Sequence, residues 1–133
     1  MNKLKGILSV EASFTTVAVD LHDGDSSYPK GTLFEVWVTP TRGHLSAFNE
    51  YRDWVRENIT LATDLQEEDA ERLNAEMYAR FDAWLAETWR NFDADEVTQL
   101  REHLQETNPG VWDWLYNETL KAMADYREGL VKN

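Results

Sequence analysis

The sequence predicts an α+β fold, with an N-terminal antiparallel β-hairpin or small sheet packed against about four α-helices. Three observations point there. Leu4 to Leu21 is rich in Val, Thr, Phe and Ile with partial period-2 alternation, and Leu33 to Val38 alternates again. Residues 44–131 repeat their apolar side chains at helical spacing behind recognisable helix-start signals. The chain of 133 residues, with 42% hydrophobic content and six tryptophans, can bury one core. A single domain over 1–133 is expected, a β-hairpin region at 1–40 leading into a helical region at 44–131.

The first strand is expected over Ser9 to Leu21, with a break near Glu11. In SFTTVAVDL, Phe14, Thr16, Ala18 and Asp20 take one face, and Thr15, Val17, Val19 and Leu21 the other. HDGDSSYPKG is dense in turn formers. TLFEVWVTP follows as a second strand, with Phe34, Val36 and Val38 opposite Leu33, Glu35 and Trp37, ending before Pro40. Two strands alone are marginally stable, so the pair must lie on helices or gain further strands.

The first helix is expected from about Leu45 to Ile59, with Leu45, Phe48, Tyr51, Val55 and Ile59 along one stripe. In the second, Thr63-Asp64-Leu65-Gln66 fits a capping box, and the stripe is Leu73, Met77, Phe81, Trp84, Leu85 and Phe92. Asp93 with Glu96 caps a third helix carrying Val97, Leu100 and Leu104. Asn108-Pro109 opens the last, along which Val111, Trp112, Leu115, Met123, Tyr126 and Leu130 recur. Short connections favour antiparallel neighbours.

Charge narrows the function. The net charge is −12, and it is uneven. Residues 1–59 hold eight acidic and six basic side chains, whereas residues 60–133 hold seventeen and seven. Direct binding to nucleic-acid phosphates or to an anionic membrane needs a basic face, and the composition argues against both. A basic protein partner is the natural complement. With no cysteine, disulfides and thiolate metal sites are excluded. No apolar run approaches the roughly 20 residues needed to cross a bilayer. The opening MNKLKGILSVEASF is interrupted by Ser9 and Glu11 and does not read as a signal peptide, so a cytoplasmic protein is expected.

No GxSxG elbow, P-loop or dinucleotide fingerprint occurs, so no catalytic residue and no cofactor are expected. The weak metal candidate is the loop holding Asp20, His22, Asp23 and Asp25, whose spacing matches no calcium loop. His44 stands just before a helix, where it can assist a cap, and His103 is expected at the edge of the third helix's buried stripe. Trp84, Trp112 and Trp54 fall on apolar stripes and read as core. Trp37, Trp89 and Trp114 lie off them and are the candidates for partly exposed anchors.

The acids carry the main reading. In TDLQEEDAE five carboxylates fall in nine residues. Glu68 with Arg72 and Glu76 with Arg80 are expected as i, i+4 pairs, and acids in a first turn complement the helix dipole. An excess remains. Glu67, Glu68, Asp69 and Glu71, with Asp93, Asp95 and Glu96, are the expected partner-binding carboxylates, followed by Glu102, Glu106, Asp113 and Glu118. The expected function is that of an acidic, non-enzymatic binding protein occupying a basic surface of a nucleic-acid-binding partner. Its sharpest form is a nucleic-acid mimic inhibiting a nuclease or a host defence complex. In character the chain resembles the small acidic inhibitors that mobile elements direct at host nucleases. Two other readings stand beside it: a small-molecule or divalent-metal protein centred on the 20–25 loop, and an adaptor binding through exposed tryptophans.

Overall fold

The computed structural model describes residues 3–9, 14–59 and 66–132, and it has the α+β architecture. The order is α1 (Lys3–Leu8), β1 (Thr16–Asp20), α2 (Leu21–Gly24), β2 (Leu33–Trp37), α3 (Arg42–Asn58), α4 (Glu67–Thr88), α5 (Ala94–Thr107) and α6 (Pro109–Lys132).

The strands pair antiparallel in the register Thr16↔Trp37 to Asp20↔Leu33. Phe34, Val36 and Val38 face inward as their alternation requires, and Val19 joins them. β1 is shorter than expected. Ser9 lies in the turn after α1, residues 10–13 fall outside the described residues, and Leu21 already belongs to α2. Asp20 ends the strand. One carboxylate oxygen accepts the His22 N–H at 3.0 Å as an N-cap, and the other accepts the Gly31 N–H at 3.0 Å, holding both ends of the loop. Gly31 has φ +89°, a left-handed conformation that glycine adopts without steric cost.

The free edge of β2 gains backbone partners from the segment after α4. Val36 bridges to Trp89, the Arg90 N–H donates to the Glu35 carbonyl at 2.8 Å, and Asn91 bonds both Glu35 N–H and the Leu33 carbonyl. This segment serves as a third strand in miniature and answers the marginality of an isolated hairpin.

α4 therefore ends at Thr88, earlier than its apolar pattern implies, and Phe92 is not part of its stripe. Trp89 takes extended backbone (φ −97°, ψ 103°) and swings inward to complete burial. Its ring meets Phe34 at 4.9 Å, Phe92 at 5.9 Å and Trp112 at 6.2 Å, and its indole N–H donates to Thr119 Oγ1 at 3.1 Å. The start of α4 also differs from expectation. Gln66 is the N-cap and makes no side-chain cap bond, while Thr63 lies outside the described residues. The box at Asp93 and Glu96 forms as written, with both reciprocal bonds, and Asn108 Oδ1 accepts the Val111 N–H at the start of α6. Within α6 the side chain of Leu130 is outside the described residues.

α5 folds back antiparallel on α4 and is fastened by a buried ion pair. Arg101 grips Asp82 through two bonds, Nε to Oδ1 at 2.7 Å and NH2 to Oδ2 at 3.0 Å. Thr98 donates to the same carboxylate at 2.8 Å, Gln105 accepts from Arg101, and the guanidinium lies 4.1 Å over the Tyr78 ring. Each guanidinium nitrogen and both carboxylate oxygens thus have a partner, the condition under which a buried ion pair is tolerated. Among the described residues no helix is long and apolar enough to cross a membrane.

Removing one partner must be costly. Asp82→Ala is expected to destabilise by about 3–5 kcal/mol in urea unfolding, since it leaves a buried guanidinium uncompensated, whereas Asp82→Leu with Arg101→Met recovers most of the loss. Trp89→Ala is expected to cost about 3–5 kcal/mol in the same measurement, through lost burial and the cavity left behind.

Candidate partner-binding surface

The acids of α4 and α5 divide by function once their bonds are traced. Asp93 and Glu96 each spend one carboxylate oxygen on the capping box: Asp93 accepts the Glu96 N–H at 2.8 Å, and Glu96 accepts the Asp93 N–H at 3.1 Å. Asp95 stands exposed and free of that box. Seven and then four residues further on, Glu102 and Glu106 fall on its side of the helix and are exposed as well. Val97, Arg101 and Leu104 form the buried side of α5, so these three carboxylates make an outward stripe about 16 Å long.

At the other end of the α4–α5 hairpin the expected cluster splits. Glu67 and Glu71 precede Tyr78 by eleven and seven residues and share its side of α4, the side that meets α5 at Arg101. Asp69 lies on the opposite side and pairs with Arg72 at 3.4 Å, so the expected Glu68–Arg72 pair gives way to an i, i+3 pair. The Glu76–Arg80 pair does not form either. Arg80 donates to the Glu76 backbone carbonyl and stacks 4.7 Å over Trp54, because the half-buried indole offers the guanidinium more contact than an exposed carboxylate does. Since α5 runs antiparallel to α4, its Glu106 end leads toward Glu71 and Glu67. Asp95, Glu102 and Glu106 thus face away from α4, while Glu71 and Glu67 lie exposed on the α5-facing side of α4 toward its free N-terminal end. None of the five makes an ion pair among the described residues.

The tryptophan anchors fare unevenly. Trp89 is the most deeply buried of the three and cannot meet a partner; off-stripe position misleads because the helix stops one residue before it. Trp114 is half-buried, packed so closely on Gly24 that a Cβ there would collide with its ring. Trp37 is half-buried on the outer sheet face, edge to face with the exposed Phe14 at 6.2 Å. Trp84 and Trp112 are buried as expected.

The 20–25 loop is organised by its own acids. Asp20 spends both oxygens on backbone N–H groups, and the Gly31 bond above all holds its carboxyl below the usual range. Asp25 accepts the Ser27 hydroxyl at 2.7 Å, which chiefly lowers it, and the Ser27 N–H. Its second oxygen takes Asn108 Nδ2 at 2.9 Å, tying the loop to the α5–α6 junction. His22 Nδ1 is 2.7 Å from the Tyr28 carbonyl. Asp23 alone projects freely, and no group of three His, Asp or Glu is set to hold a metal ion among the described residues.

Sequence reasoning missed His44. It lies inside α3, where the N-cap is Thr41, and is buried against Trp84. Thr88 donates its hydroxyl proton to the Trp84 carbonyl, so it receives the His44 Nδ1–H at 2.9 Å. Burial pushes the imidazole below its ordinary value, against a smaller upward pull from Glu87. The one available signal was its position a turn before Phe48 on the apolar side of α3. His103, by contrast, is exposed, because Leu100 and Leu104 rotate it away from the core.

Comparison of the chain with protein-family models, curated proteins and solved structures finds no match in any of the three.

Because the folded state favours neutral His44, it takes up a proton less readily than the unfolded chain. The contribution is fully present above the ordinary imidazole value of about 6.5 and is lost as pH falls from there through the folded value. Urea midpoints measured from pH 7.5 downward are expected to drop across this window in the wild type and to flatten in His44→Gln.

Proposed function

We propose that this chain is a non-enzymatic binding protein that lays its acidic edge on the basic surface of a partner protein, a surface that otherwise holds nucleic acid. The observation that carries the reading is the outward stripe Asp95, Glu102 and Glu106 on α5, exposed and without ion-pair partners among the described residues, with Glu67 and Glu71 likewise exposed and unpaired near the start of α4. The stripe's length of about 16 Å is close to half a turn of duplex, which is about 34 Å long. Carboxylates on helices held rigid by a buried ion pair keep their spacing, so little ordering entropy opposes their docking. The mechanism is occupation: the edge meets Lys and Arg side chains and excludes the phosphate backbone they would otherwise bind. Such a role belongs in the cytoplasm, where nucleic-acid enzymes act.

The test uses nuclease-treated host extract passed over the immobilised protein, with each captured protein then assayed for loss of duplex-DNA binding. Capture is expected to fall as salt rises from about 50 mM to about 500 mM, as the Debye length shrinks. Replacing Asp95, Glu102 and Glu106 by Lys is expected to weaken capture by about tenfold or more. Replacing Glu50, Asp53 and Glu57 on the exposed face of α3 makes the same change in net charge and is expected to matter far less. Equal losses from the two triple variants, or captured proteins that bind DNA undisturbed, would overturn the reading.

A further inference from the structure

The second feature is independent of the acids. Between α3 and α6 lies an open groove of about 620 Å³, within the roughly 300–1,000 Å³ of small-molecule sites. Trp84 lies beneath it, Leu45 and Phe48 form the α3 wall, and Leu120 and Met123 line the α6 side with Tyr116 and Tyr126. Leu45, Phe48 and Leu120 are exposed large hydrophobics at 49%, 37% and 38%. Along α6, Tyr116, Leu120, Met123 and Arg127 recur at i, i+4, i+7 and i+11, giving the groove a length of about 16 Å.

Its charge is the reverse of the molecule's. A chain with 25 acidic side chains places none among the described residues lining this groove. The charged side chain that does line it is Arg127, exposed at one end of the α6 stripe and without an ion pair among the described residues. His44 contributes a buried ring whose Nδ1 is occupied by Thr88. An elongated apolar trough ending at one guanidinium matches a molecule with an apolar body and one carboxylate, since the planar fork of Arg receives a carboxylate through two parallel bonds.

We propose that the α3–α6 groove binds a small amphipathic carboxylate, its hydrocarbon or aromatic body along Phe48, Trp84 and Leu120 and its carboxylate on Arg127. A neutral molecule of equal length would gain the same burial and lose the charged contact.

Decanoate and decanol are the probes, titrated calorimetrically into the full chain below their aggregation limits. Decanoate is expected to bind at least about tenfold more tightly than decanol, a difference of one charge-assisted contact. In Arg127→Met that preference should shrink to about twofold or less, with decanol affinity unchanged. Leu45→Glu places an acid on the exposed groove wall and should weaken decanoate by about tenfold or more while leaving the far-UV circular dichroism intact. Absence of decanoate binding to the wild type, a preference that survives Arg127→Met, or indifference to Leu45→Glu would each overturn the proposal. So would binding that appears only after Ile7→Lys with Leu8→Lys, because the chain's own α1 would then be the occupant. The acidic-edge triple variant is expected to bind decanoate as the wild type does, which separates failure here from failure of the partner-binding reading.

Discussion

Everything else in the fold is arranged around the burial of Trp89. One residue after α4 ends, the backbone turns extended, and this indole enters the space between the sheet and α6. Three consequences follow from one geometric event. The sheet gains a hydrogen-bonded neighbour on the β2 edge, Phe92 is delivered to stack on Phe34 at 4.7 Å, and Thr119 of α6 is fixed through the indole N–H. A large ring at such a junction contributes area to every element it touches, so sheet, α4 and α6 lose stability together when it is removed.

The Asp82–Arg101 pair does for the α4–α5 hairpin what Trp89 does for the core. Such a pair adds little net stability compared with well-packed apolar side chains, but its geometry is directional. Two parallel bonds, the Thr98 hydroxyl and the Tyr78 face specify how far α5 slides along α4 and how it rotates. That rotation turns Asp95, Glu102 and Glu106 outward. The proposed binding edge thus depends on a buried ion pair that itself meets no partner. The α3–α6 groove answers to different constraints: Tyr116, Leu120 and Met123 of α6 face Leu45 and Phe48 of α3 across a gap that these side chains line without filling.

Much of the fold was legible from local rules. The outer and inner faces of β2, the reciprocal cap at Asp93 and Glu96, and the Asn108-Pro109 start of α6 depend on residues within a turn of one another. The readings that failed share a cause. Trp89 and Phe92 were placed on a continuing helix, because an apolar pattern does not say where a neighbouring strand will capture the backbone. Arg72 and Arg80 were assigned to carboxylates one turn away, although Asp69 and the Trp54 ring compete for them. Asp20 and Asp25, a weak metal candidate by sequence, bond to the loop's own N–H groups and to Asn108.

The sequence by itself determined that this protein is α+β and strongly acidic in its helical half. Those properties follow from composition and short-range periodicity, which survive any arrangement of the elements. Only the tertiary structure decided which carboxylates stand together. Asp93 and Glu96 turned to capping and Asp69 to an ion pair, while Glu102 and Glu106 joined Asp95 because a buried Arg101, nineteen residues from its partner, set the rotation of α5. A surface is a relation between elements, and its geometry is settled by the long-range contacts beneath it.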